Sequence, residues 1–158
     1  MSQTALIVVV PEAEASVDQI RLRHVASAAQ GVPAHITLLS PFADAEDLDE
    51  QALSDLFAGL PAFDFVLDRV EQWKDGIVWL HPEPSEPFEQ LTEAIWQRWP
   101  DCPPYEGTVE TIIPHLTLSE RPIQVELDLP IRSRADTVSL IEQSSDGTWS
   151  TSRLFPLG

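Results

Sequence analysis

Apolar and polar residues follow one another in this chain with two different periods, and each change of period marks an element. The opening run Thr4-Ala5-Leu6-Ile7-Val8-Val9-Val10 is almost wholly apolar and stops at Pro11, which predicts a buried strand over residues 4–10. Residues 12–29 then set Val17, Ile20 and His24 on one side of a helix, stopped by Gly31-Val32-Pro33. Alternation returns over 34–42 and ends at Pro41-Phe42, a second strand. The acidic stretch 44–50 leads into a helix through Leu53, Leu56 and Phe57, closed by Gly59 and Pro61. Phe63 to Trp73 alternates as a long strand, Lys74-Asp75-Gly76 is a hairpin turn, and Ile77 to Leu80 returns as its partner, up to Pro82. Residues 82–87, rich in proline and acid, predict a loop. Phe88, Leu91, Ile95 and Trp99 recur at helical spacing and form a core stripe; the prolines of 100–107 predict another loop. A strand over 112–119 follows, then a short, irregular stretch over 120–134. Thr137 to Gln143 pairs across Ser144-Ser145-Asp146-Gly147 with Thr148 to Phe155.

Two of these strands carry the same four-residue pattern. His35-Ile36-Thr37-Leu38 and His115-Leu116-Thr117-Leu118 are both H-x-T-L, each follows a proline within two residues, and they lie 80 residues apart in a 158-residue chain. On a strand, residues i and i+2 share a face, so each copy sets an imidazole beside a hydroxyl with apolar side chains behind. From motif histidine to turn aspartate is 40 residues in the first half (35 to 75) and 31 in the second (115 to 146). The shortfall falls where the first half has its helix over 47–59. The expected fold is α+β: one domain over 1–158 made of two interleaved lobes. Each lobe is an antiparallel sheet with helices outside, related to the other by an approximate twofold across a central cleft.

Two such strands facing one cleft supply two histidines and two threonines to one phosphate. Histidine titrates near neutrality and serves as base or acid. One histidine cannot deprotonate a nucleophile and protonate a leaving group on opposite sides of phosphorus in one step; two flanking the phosphate in line can. Hydroxyls two residues away are placed to hold the non-bridging oxygens. No Asp, Cys and His set with metal-ligand spacing accompanies them, so a metal-independent reaction without cofactor is expected.

The stretches Gly31-Val32-Pro33-Ala34-His35-Ile36-Thr37-Leu38-Leu39-Ser40-Pro41-Phe42 and Pro114-His115-Leu116-Thr117-Leu118 closely resemble the paired signatures of the 2H phosphoesterase superfamily. The bacterial branch described as the 2′-5′ RNA ligase family is the nearest in character. The closing stretch from Arg134 through Asp146-Gly147-Thr148-Trp149 to Gly158 is similar to that branch too. The resemblance implies a bilobal α+β fold with a cleft between its sheets. It implies cyclic phosphodiesterase or related phosphoester chemistry on 2′,3′-cyclic nucleotides, RNA ends or small cyclic phosphates. It maps catalytic roles onto His35 and His115 and phosphate-binding hydroxyls onto Thr37 and Thr117. Many RNA-processing relatives carry an arginine where this chain has Glu120, with Arg121 expected on the opposite face.

Charge narrows the substrate. The formal net charge is −17, with 26 acidic residues against eight arginines and the single Lys74. No basic stripe is present to neutralise a polyphosphate backbone, so long nucleic acid is not an expected partner. A small phosphorylated or cyclic-phosphate substrate, or an RNA end, remains. No apolar run approaches the 18 or so residues of a membrane span, and the first strand does not read as a signal peptide. The lone Cys102 cannot form an internal disulfide and reads as a passive loop residue; a cytoplasmic monomer is expected. Trp79 and Trp149, in the returning strands of the two hairpins, are candidates to stack a base. Tyr105 is a candidate lid and Ser119, sharing a face with His115 and Thr117, a third donor. Ser40 falls on the face opposite His35. His24 and His81 have no threonine partner and read as structural or surface residues. Two competing readings are a non-catalytic nucleotide- or phosphate-binding module and an enzyme joining or cleaving 2′-5′ RNA ends.

Overall fold

The apolar opening run forms β1 (Thr4–Val9), covered on both faces, which is why it lacks alternation. In the computed structural model, which describes residues 2–107 and 112–158, Leu6, Val8 and Val10 enter the main core while Ala5 and Ile7 join a smaller apolar cluster with Val32 and Ile141. Helix α1 (Pro11–His24) starts with proline at its first turn, has Glu12 and Glu14 near its N-terminus, and ends in Arg21, Arg23 and His24, a charge order that suits the helix dipole. The single helix expected over 12–29 is broken. Val25 is extended (φ −130°, ψ 120°), and a short helix α2 (Ala26–Ala29) resumes beyond it. A distant carboxylate accounts for the break: Glu120 accepts the Ala26 N–H at 2.6 Å and donates its own N–H to the His24 carbonyl at 2.9 Å. The buried stripe of α1 is Ala13, Val17 and Arg21, not a line ending in His24.

Strand β2 (His35–Leu39) carries the first motif, and helix α3 (Glu50–Ala58) begins with the Asp49 carboxylate accepting the Ala52 N–H at 3.0 Å. Strands β3 (Phe63–Gln72) and β4 (Val78–Glu83) form the expected hairpin, with Gly76 at φ +98° in its turn. Helix α4 (Glu86–Arg98) buries Phe88, Leu91, Thr92 and Ile95. The second motif lies on β5 (Leu116–Ser119), with His115 just before it. Within the stretch expected to be irregular, Ile131–Ala135 forms β6, and β7 (Thr137–Gln143) and β8 (Trp149–Pro156) close the chain as a hairpin.

The strands build two antiparallel sheets, β2-β1-β7-β8 and β5-β4-β3-β6. Each motif strand is an edge strand. The unit that repeats is strand, helix, motif strand: β1-α1-α2-β2 and β4-α4-β5. The hairpin after each motif therefore joins the other motif's sheet. Trp79 belongs with His115, not with the first motif whose hairpin carries it. The helices cross over as well. α1 packs against β5 and β6 while α4 packs against β2, so each helix backs the motif strand of the opposite unit. The main core fills the space between, with Leu38 and Leu39 of β2, Leu116 and Leu118 of β5, and Phe57, Phe88 and Phe155.

Candidate active site

Period-2 alternation turns Ile36 and Leu38, and likewise Leu116 and Leu118, into the core, leaving His35, Thr37 and Thr117 half-buried on the opposite face. His115 lies half-buried at the start of β5. The two motif strands approach each other at the seam between the sheets. Each histidine makes the same contact with the backbone two residues earlier. His35 Nδ1 lies 2.8 Å from the Pro33 carbonyl and His115 Nδ1 2.7 Å from the Ile113 carbonyl. A carbonyl only accepts, so each Nδ1 carries the hydrogen and donates it. In the neutral ring Nε2 is then the basic nitrogen, and in the protonated ring it is the acid.

Burial holds both rings toward the neutral form. His35 is lowered to about 4, chiefly by desolvation; the Pro33 carbonyl opposes this, and the charges of Arg21 and His115 add to it. His115 is lowered by desolvation against the opposing Ile113 carbonyl.

The two surroundings differ. Beside His35 lies a cavity of about 210 Å³ lined by Thr37, Ser40, Tyr105 and Trp149 together with the apolar Ala5, Ile7, Val32 and Ile141. The Trp149 backbone is tied there, its amide N–H donating to the Gln30 carbonyl at 2.9 Å. Gly31, at φ +101°, lets the Trp149 carbonyl come within 3.1 Å of where a Cβ would stand. Ser40 lines this cavity, contrary to the strand alternation, because β2 ends at Leu39 and Ser40 turns out of the period. Tyr105 sits in a left-handed conformation (φ 51°), its N–H donating to the Ser40 carbonyl at 2.8 Å. Such strain in a non-glycine residue persists only where the surroundings enforce it.

Beside His115 stand two tryptophans. The Trp73 ring stands edge-on at 4.7 Å from the His115 ring and 5.0 Å from Trp79. Trp79 is only 4% exposed, so its faces serve packing and not the stacking of a base. Its indole N–H has no acceptor among the described residues. Ser119 also leaves the set of donors: it is buried, its hydroxyl donating to the Arg121 carbonyl at 2.6 Å and accepting the Arg121 N–H at 3.1 Å. Sequence reasoning gave Trp73 no part in the site and read His81 as structural or surface; Trp73 packs on the His115 ring and His81 stands beside Trp79. His81 shares the face of Trp79, where a bulge between Leu67 and Arg69 brings the Asp68 carboxylate to 2.8 Å from His81 Nδ1. The signal available for His81 was its spacing of two from Trp79. Glu120 is turned to α2 and Arg121 to His24, whose Nδ1 accepts the Arg121 Nε–H at 3.2 Å. Among the described residues no helix is long and apolar enough to cross a membrane.

The family model of the 2′-5′ RNA ligase superfamily matches residues 9–147. The chain belongs to the 2′-5′ RNA ligase superfamily, the 2H phosphoesterases. No curated protein matches. Among solved structures, Escherichia coli LigT complexed with NADP+ is similar at 22% identity and a TM-score of 0.68, over 99% of this chain and 97% of that one. LigT complexed with 3′-AMP is similar at 20% identity and a TM-score of 0.65, over 99% and 98%. TT0787 of Thermus thermophilus is similar at 19% identity and a TM-score of 0.69, over 98% and 97%. At these identities the likeness establishes a shared fold, the two-sheet 2H architecture.

Proposed function

We propose that this protein hydrolyses a small cyclic phosphate of the 2′,3′-cyclic nucleotide class by two-histidine general acid/base catalysis, with no metal ion required. The observation that carries the reading is the pair of imidazoles in the same Nδ1–H tautomer, each fixed by a backbone carbonyl, on edge strands that approach across one seam. One Nε2 takes a proton from water as its oxygen bonds to phosphorus. The other gives a proton to the ribose oxygen as the ring P–O bond breaks. A cyclic diester and one water become one phosphomonoester. The Thr37 and Thr117 hydroxyls donate to the non-bridging oxygens, where charge builds in the transition state.

The size and neutrality of the cavity beside His35 suit a single uncharged ring system, held by Trp149 with Tyr105 as its lid. The net charge of −17 and the diversion of Glu120 and Arg121 to α2 and His24 argue against a polymer. LigT, similar in fold, has been crystallised with 3′-AMP, phosphate and ATP, small phosphorylated ligands.

The test is a panel of 2′,3′-cyclic nucleotides and short RNA ends turned over in EDTA, with 2′- and 3′-phosphate products separated. Turnover of the cyclic nucleotides, lost in both His35→Ala and His115→Ala while the circular dichroism of the fold is kept, is expected. Turnover within about tenfold of the wild type in either variant sinks the two-histidine reading. Steeply salt-dependent RNA binding would favour an RNA-end enzyme instead.

A further inference from the structure

The two crossing helices hold the two motif strands by chemically unequal contacts. From α4, the Thr92 hydroxyl donates to the Leu38 carbonyl of β2 at 2.7 Å. From α1, Arg21 donates Nε–H to the Thr117 carbonyl of β5 at 3.3 Å and Nη1–H to the Val32 carbonyl at 3.1 Å. A neutral hydroxyl suffices for the first contact. The second uses a guanidinium that is 2% exposed. Desolvating a cation is costly, and burial lowers the Arg21 pKa, with Glu14 opposing. Glu14 in turn accepts the Ala34 N–H, so α1 grips both sides of the turn into His35 while holding the second motif by its backbone. No strand pairing does this work: β2 and β5 each end a sheet.

We infer that Arg21 is a positioning residue for the reaction, bridging the seam between the edge strands so that its forked contacts set the separation of His35 and His115. The inference rests on the two-histidine reading and names the group that holds the pair in place. Its charge has a second effect. His35 faces Arg21 from α1, His115 from the opposite motif and Tyr105 from the 104–107 turn, with Glu14 bound one residue away at Ala34. Arg21 is the permanent cation in that group, and it favours the neutral imidazole.

The test uses full-length Arg21→Lys and Arg21→Met. The lysine keeps the charge and loses the fork; the methionine loses both. The readouts are the His35 ring titration by NMR, and kcat and KM on a 2′,3′-cyclic nucleotide. In Arg21→Met, kcat should fall about 10²-fold with KM within about threefold, as expected when reacting groups are misplaced by roughly 1 Å. His35 should titrate at higher pH than in the wild type. In Arg21→Lys, the His35 titration should stay close to wild type while kcat still falls. A folded Arg21→Met with wild-type kcat and an unmoved His35 titration overturns the inference. If the methionine variant does not fold, a folded Arg21→Lys with wild-type kcat overturns it instead. Should the wild type open no cyclic phosphate, the two-histidine reading fails by itself, and the His35 titration in the variants still decides whether Arg21 acts on that ring.

Discussion

The two halves of the cleft carry the same motif and opposite surroundings. His35 lines a neutral cavity with Thr37, Ser40, Tyr105 and Trp149. His115 stands against a wall in which Trp73 packs edge-on and Trp79 is buried. The shared motif is therefore set in unlike neighbourhoods. In the proposed reaction the first half receives the organic part of the substrate and the second contributes acid/base and phosphate contacts. A symmetric cleft would leave a cyclic nucleotide free to bind in either of two orientations; in the proposed reaction the unequal surroundings of the two histidines favour one.

The comparison can be broken at its common element first. Replacing either histidine by alanine should lower turnover by about 10²–10⁴, the usual contribution of a positioned acid or base, and by similar factors in the two halves. Thr37→Val and Thr117→Val should each lower kcat by about 10², as when one donor to a developing oxyanion is lost, with KM less affected. The halves should then part. Trp149→Ala should raise KM about tenfold through lost stacking. Trp73→Ala should act mainly on kcat by loosening the His115 ring, and equal KM effects from both tryptophans would contradict the asymmetry. In the free enzyme the base must be neutral and the acid protonated, so kcat/KM rises through the lower pKa and falls through the upper. With His35 at about 4 and His115 lowered from 6.5, the bell should peak on the acidic side of 6.5, whichever ring plays which part. The bound phosphate raises both values, so the kcat profile should lie at higher pH. The smallest effect is expected at Glu120. Glu120→Ala removes the acceptor for Ala26 and should cost about 1 kcal/mol of stability, read by thermal unfolding, with turnover unchanged.

What could be read from the sequence was local. The motif strands declared themselves through Ile36/Leu38 and Leu116/Leu118, and the first hairpin through Lys74-Asp75-Gly76. β6 was hidden because Ile131-Arg132-Ser133-Arg134-Ala135 presents its two arginines to solvent and buries only Ala135 fully. What depends on distant partners was not legible. The sheet each hairpin joins is decided by pairings such as Trp79 with Thr117. The break at Val25 is decided by Glu120, and the burial of Arg21 by carbonyls at Thr117 and Val32. An arginine on an amphipathic helix reads as solvated unless the carbonyls that will receive it are known. Ser40 and Ser119 were misassigned for a related reason. Alternation predicts the side of a strand and says nothing once the strand ends or a hydroxyl closes its own turn.

The register of β1 against β7, with Ala5 opposite Ile141 and Leu6 opposite Leu140, also fixes an order of assembly during synthesis. The sheet bearing His115 has all its strands once residue 135 has left the ribosome. The sheet bearing His35 takes β1 and β2 from before residue 40 and β7 and β8 from after residue 136; until the later pair is made β1 and β2 are a two-stranded ribbon, an arrangement marginal in water. A ribosome halted before residue 137 would release a polypeptide holding both histidines and neither Ile141 nor Trp149 to shape the chamber beside the first.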